Sequence, residues 1–179
     1  LQVGSLEGYI FPDTYSLSRL QDEESIIGIL VGNFTRHIAA DNLSNRDSLH
    51  QVIVLASIVE KEAKYEDERP IIASVFINRL KLKRPLESCA TVLYVLKAEK
   101  PMATRQQLSD RDLKVVSPYN TYLHAGLPPG PICSPGESSI RAVISPADVD
   151  YLYFVAKGDG RHYFSRTYRE HVAAKDRYQ

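Results

Sequence analysis

The chain has 179 residues, 44% hydrophobic and 25% charged, and its 22 basic and 22 acidic side chains cancel to a formal net charge of zero. This is ordinary globular composition, long enough for a sizeable core, and the balanced charge lacks the basic footprint of a nucleic-acid binder. No apolar run reaches bilayer-spanning length, and the opening LQVGSLEGYI has no signal-peptide pattern, so the sequence reads as a piece of a longer chain that leaves room for an upstream anchor. Two cysteines, Cys89 and Cys133, with no CxxC, do not make a disulfide scaffold.

The N-terminal LEGYIFPDTY, with Pro12 and Asp13, is extended and turn-like. From Asp22 to about Ala40, Ile26, Ile27, Leu30, Phe34 and Ile38 fall at helical intervals after an acidic first turn. A second helix is predicted from about Ser48 to Tyr65. A third is predicted from about Asp67 to Leu82, with Pro70 tolerated in its first turn and RLKLKR a solvated end. ATVLYVLKA fits a strand or a helix equally, and TRQQLSDRDL is a short surface helix at most. Between Pro118 and Gly136 lie five of the ten prolines and three of the nine glycines. Such a stretch excludes regular structure, and long ordered loops of this kind are more often functional than not. GESSIRAVI starts a short helix, and YLYFVAKGDGRHYF reads as a hairpin around Gly158-Asp159-Gly160. The end is an amphipathic helix with Ser165 as its N-cap. The fold class is therefore α+β: a helical lobe packed on a small antiparallel sheet, with a long ordered Pro/Gly-rich loop, in a single domain over 1–179.

The five histidines show no metal-ligand spacing, and neither a GxSxG elbow nor a phosphate-binding glycine motif occurs. No metal or cofactor is expected, and His162 reads as a structural histidine on the hairpin. The carboxylates of LASIVEKEAK remain. At 100° per residue Glu60 sits roughly 70° from the centre of the Leu55/Ala56/Val59/Ala63 stripe, and Glu62 roughly 80–90° to the other side. Both stand on the boundary between core and solvent, where rim acids paired with Lys or Arg are the ordinary occupants. Wheel geometry alone does not choose between that reading and a catalytic acid. A catalytic acid must be held neutral, which burial against Val59 would favour.

Five blocks in order (LEGYIFPDTY, LASIVEKEA, SVFINRL, SPYNTYLHAGLPPGPICSPGESSIRAVISP and YLYFVAKGDGRHYFS) resemble the YceG-like (MltG) family of membrane-anchored endolytic murein transglycosylases, over nearly the whole chain. The resemblance implies a catalytic domain that cuts peptidoglycan glycan strands. It also implies an extracytoplasmic location, a single upstream transmembrane helix and a small LysM-like subdomain before this segment, and cell-wall synthesis proteins as neighbours. It places the general acid on Glu60 and a supporting acid on Glu62. Asn78 and Arg79 come from its NRL block. Tyr119, Asn120, Thr121 and Tyr122, from its YNTY block, are suited to hydrogen-bonding and stacking on sugars. Gly126–Ile132 would wall a groove lined by 117–132, with the second and third helices packed together beneath it. One departure stands out: LESCATV puts Cys89 and Ala90 where many members carry Asp and Pro, so any role of that Asp is missing or moves to Glu87. Export would allow a Cys89–Cys133 bridge tying the loop down.

The implied chemistry needs one acid. It protonates the bond between N-acetylmuramic acid and N-acetylglucosamine, and the sugar's own 6-hydroxyl then closes a 1,6-anhydro ring. A hydrolytic muramidase would need a second carboxylate. A non-catalytic glycan-binding module is the alternative from another class.

Overall fold

The computed structural model describes residues 5–39, 46–99 and 108–178. Helix α1 spans Glu23–Ala39, with Glu23 and Glu24 at its positive end and Arg36 and His37 in its last turn. Asp22 caps it, its Oδ1 accepting the Ser25 N–H at 2.8 Å. Phe34 and Ile38 close over Tyr9 and Phe11 of the N-terminal segment, and Phe11 stacks on His37 at 3.9 Å between ring centroids.

Helix α2, Arg46–Glu62, is the centre of the molecule. Every residue from Ile53 to Val59 is buried. Ile53 and Ala56 face a cluster with Tyr9, Phe34 and Ile140, whereas Leu55, Ile58 and Val59 face another with Ile72, Phe76, Leu86 and Ile132. The apolar stripe read from the sequence is thus only one of two buried sides, and each large aliphatic contributes roughly 1.5–3 kcal/mol of burial. The helix stops at Glu62, short of the predicted Tyr65, because the chain turns into a single 3-10 turn, Glu66–Glu68, that leads directly into α3, Arg69–Lys81. Pro70 occupies the first turn of α3, as predicted.

The ambiguous segment is a helix, α4, Cys89–Glu99. Of TRQQLSDRDL, residues 104–107 lie outside the described residues, and the remainder contains only the start of the 3-10 turn Asp112–Lys114. The Pro/Gly-rich stretch is irregular, as expected, and opens into α5, Glu137–Ile144. Strands β1, Tyr153–Ala156, and β2, His162–Ser165, pair antiparallel with Tyr153 opposite Ser165 and Ala156 opposite His162. Gly158 and Gly160 take positive φ in the connection between them.

The last helix, α6, covers Tyr168–Tyr178. Its cap is not Ser165, which remains in β2 with its hydroxyl buried and without a partner among the described residues. Thr167 takes the position instead. Its Oγ1 accepts the Glu170 N–H at 3.2 Å while Glu170 Oε2 accepts the Thr167 N–H at 3.1 Å, a reciprocal capping box. The architecture is α+β, six helices and one two-stranded sheet among the described residues. No helix among them is long and apolar enough to cross a membrane.

Candidate active site

The Pro/Gly-rich segment runs alongside α2 in the same direction and is tied to it along its length. His50 Nε2 donates to the Pro129 carbonyl at 3.1 Å. Further on, the Ile132 N–H donates to Ser57 Oγ at 3.0 Å and the Cys133 thiol to the Ser57 carbonyl at 3.4 Å. At the end the Gly136 N–H donates to Glu60 Oε2 at 3.2 Å. The N-terminal segment presses the same rail from outside: Tyr9 Oη bonds His50 Nδ1 at 2.6 Å, and a Cβ on Gly8 would stand 2.4 Å from the Pro131 ring. A loop without regular hydrogen bonds is thereby given fixed partners.

Glu60 lies where the rail ends. Its side chain is 27% exposed, and that of its ion-pair partner Arg69 is 12% exposed. Arg69 Nη2 donates to Glu60 Oε1 at 3.3 Å, and Ser139 Oγ to Glu60 Oε2 at 2.7 Å. Arg69 Nε also reaches Ser139 Oγ at 3.1 Å, closing a triangle. With Gly136 just ahead of α5, Oε2 also meets the positive end of that helix. Arg69 is set by Pro70, which starts α3 beside the end of α2. Ser139 is set by the first turn of α5.

Glu62 turns to a different helix. Its Oε1 accepts from Ser88 Oγ at 2.5 Å and from the Ala90 N–H at 3.4 Å, at the start of α4. The boundary acids of α2 therefore each serve a helix N-terminus, Glu60 that of α5 and Glu62 that of α4. Glu62 supports the scaffold.

Most of the other expected sugar contacts are occupied inside the protein. Asn78 Nδ2 donates to the carbonyls of Val149 and Tyr151 at 2.8 and 3.2 Å. Arg79 donates to the carbonyls of Pro85 and Leu152, at 2.8 and 3.1 Å, and to Glu87. That ion pair holds Glu87 at Arg79, and no contact joins it to Glu60. Asn120 is 0% exposed, and its Nδ2 donates to the Leu113 and Val115 carbonyls at 3.0 and 2.8 Å. Thr121 is buried too, its Oγ1 shared between the Ser88 N–H and Thr91. Buried Arg79, Asn120 and Thr121 hold the loops in place and are spent inside the protein, and half-buried Asn78 spends its amide N–H in the same way. Tyr122 is half-buried, with its Oη 3.1 Å from Cys89 Sγ. Tyr119 is half-buried and packs on the cluster containing Val59 and Ile132.

The expected Cys89–Cys133 bridge is not formed; both thiols are free. Cys89 faces Tyr122 and Cys133 faces Ser57, so each sulfur has its own neighbour in place of the other. Burial pushes the Cys133 thiol up to about 11, with Lys61 opposing and Glu60 and Glu7 adding to the shift. His162 is the structural histidine expected, its Nδ1 donating to buried Glu68 Oε2 at 2.8 Å and pinning the hairpin to the turn before α3.

Arg69, Gly136 and Ser139 escaped the sequence reading. Two signals pointed to them: Arg-Pro at the start of a helix, and a Gly-Glu-Ser-Ser helix start at the end of the proline-rich loop.

Residues 2–177 match the sequence profile of the YceG-like family. The chain belongs to the YceG-like family. An endolytic murein transglycosylase of Bacillus subtilis is 40% identical over 177 residues, covering 97% of this chain and 48% of that protein. One from Streptococcus pneumoniae is 34% identical over 173 residues, covering 93% of this chain and 31% of its own length. The crystal structure of a YceG-like protein from Listeria monocytogenes superimposes with a TM-score of 0.84 at 41% identity, over 94% of this chain and 55% of that one. The chain thus spans half or less of the curated YceG-like relatives it matches.

Proposed function

We propose that this chain is the catalytic part of an endolytic murein transglycosylase, acting outside the cytoplasmic membrane on peptidoglycan glycan strands, with Glu60 as its general acid and base. The observation that carries the reading is the setting of Glu60: a half-exposed carboxyl at the end of a buried helix, its two oxygens oriented by Arg69, Ser139 and the Gly136 N–H. The names of the curated relatives support the same substrate class. An upstream membrane anchor and neighbouring cell-wall synthesis proteins belong to the same proposal.

In the first half of the reaction, protonated Glu60 gives its proton to the oxygen linking N-acetylmuramic acid to N-acetylglucosamine. The bond to the muramic anomeric carbon breaks and an oxocarbenium-like centre develops. Glu60 is then a carboxylate, and Arg69 and the Gly136 N–H face the charge it acquires. In the second half it takes the proton from the 6-hydroxyl of the same muramic ring as that oxygen bonds the anomeric carbon. The tethered hydroxyl outcompetes water through its effective concentration. The net result is a 1,6-anhydro end, a free N-acetylglucosamine 4-hydroxyl and a restored acid, with no water consumed.

The test is mass spectrometry of products released from purified peptidoglycan by the full-length protein. Fragments one water lighter than hydrolysis products, in a spread of lengths, are expected. Reducing ends throughout would replace the lytic route by a muramidase. Disaccharides alone would remove the endolytic assignment, and binding without product would leave a glycan-binding module.

A further inference from the structure

The N-terminal segment brings a carboxylate toward Glu60. Glu7 precedes Gly8, which lies against Pro131 and Ile53. Two residues beyond Pro131, Cys133 meets α2 at Ser57, one turn before Glu60. The Cys133 thiol accordingly feels both carboxylates, Glu60 and Glu7. Tyr94, on α4, donates from Oη to Glu7 Oε2 at 2.6 Å. The ring of Tyr94 lies against that of Tyr119, with centroids 5.0 Å apart and planes tilted by 41°. Gly130 makes room for Tyr119, since a Cβ there would stand 2.8 Å from its Oη. All three side chains are half-buried. Glu7 Oε1 has no hydrogen-bond partner among the described residues.

We infer that Glu7, Tyr94 and Tyr119 form a sugar subsite beside Glu60, for an N-acetylhexosamine ring of the glycan. The tilted tyrosine faces take the C–H face of the ring, and Glu7 Oε1 accepts from a sugar hydroxyl or the acetamido N–H. A pyranose offers both an apolar face and a rim of donors, and an aromatic pair edged by a carboxylate matches both. The Tyr94 bond fixes the carboxylate through one oxygen and leaves the other to a ligand. The inference rests on the glycan reading above and assigns residues to binding, leaving proton transfer to Glu60.

The test uses full-length protein carrying Glu60→Gln, so that binding is read without turnover, with peptide-free glycan strands as the probe. Glu7→Gln and Tyr94→Leu are each expected to weaken the Kd by about tenfold or more, the worth of a charge-assisted hydrogen bond or a stacking contact. In the Glu60-containing protein the same changes raise KM and leave kcat in place. Unchanged affinity in folded variants, or a lowered Tm with the affinity kept, would overturn the subsite and leave the Glu7–Tyr94 bond a structural tie. Radical footprinting of the Glu60→Gln protein, which needs neither subsite variant, should show Tyr94 and Tyr119 protected by glycan; equal labelling with and without glycan overturns the proposal. A parent that binds glycan but releases no product ends the enzyme reading while the variants still decide the subsite. A parent that binds no glycan ends both.

Discussion

Replacing Glu60 by glutamine keeps the shape of the side chain and removes the transferable proton. Cleavage of peptidoglycan by Glu60→Gln should fall by roughly 10² or more, the usual worth of general acid catalysis. The Tm should fall as well, because the amide cannot accept at both positions that Arg69, Ser139 and the Gly136 N–H now occupy. Glu62→Ala should lower stability without removing cleavage, because Glu62 holds Ser88 and the Ala90 N–H. Urea unfolding should show a loss of about 1 kcal/mol, a typical cap contribution, with turnover retained. The two acids are indistinguishable on a helical wheel, since a wheel records angle and not neighbours. What separates them is that Ser139 lies 79 residues from Glu60 in sequence, and Ser88 lies 26 from Glu62. Asn120 shows the same limit from the other side. Its amide looked suited to a sugar, yet it is buried under its own loop's carbonyls. Cys133 gives a test by pH. A thiol raised to about 11 holds its proton more tightly folded than unfolded, so its contribution to stability is complete below the unfolded thiol value, about 8.5. That contribution is lost as pH rises toward 11. Alkylation at Cys133 in folded protein should show its midpoint near that raised value, and Cys133→Ala should flatten the alkaline fall in Tm.

Helices α1, α2, α3 and α5 and the hairpin were legible because each carries its own period and punctuation: an acidic first turn in α1, Pro70 in α3, paired glycines in the hairpin. The errors fell at ends. α2 stops early because the next helix begins at Arg69, and α6 starts late because Thr167 and Glu170 form a better cap than Ser165. The helical state of α4 was not legible, since its Ala-Thr-Val-Leu-Tyr-Val run suits a strand equally well. Its first turn is secured by a carboxylate from α2. The rail was visible as a composition, but its course was not. Gly8 tests how firmly the N-terminal segment holds it. With φ at 86° and Pro131 2.4 Å from an added Cβ, Gly8→Ala should cost about 2 kcal/mol or more, from the left-handed backbone alone and then the clash. Urea unfolding measures it, and activity at low temperature should fall with it as the rail shifts.

At the scale of the whole molecule, α2 and α5 both contribute to the two core clusters, and the candidate site stands where the end of α2 meets the start of α5. The sequence pattern conveyed the class of fold because burial patterns are local; the candidate site is assembled from distant pieces, and Glu60 was singled out only by the family resemblance. That assembly has a kinetic consequence. Arg69 is nine residues from Glu60, a short loop to close, whereas Gly136 and Ser139 are 76 and 79 residues away. Closing the longer loops costs more chain entropy and comes later. On dilution from denaturant, helical signal from α2 and α3 should return first, and turnover should return only with the slowest phase, when α5 docks. Glu60, the proposed acid, should be among the earliest residues to find a partner and the last to become competent.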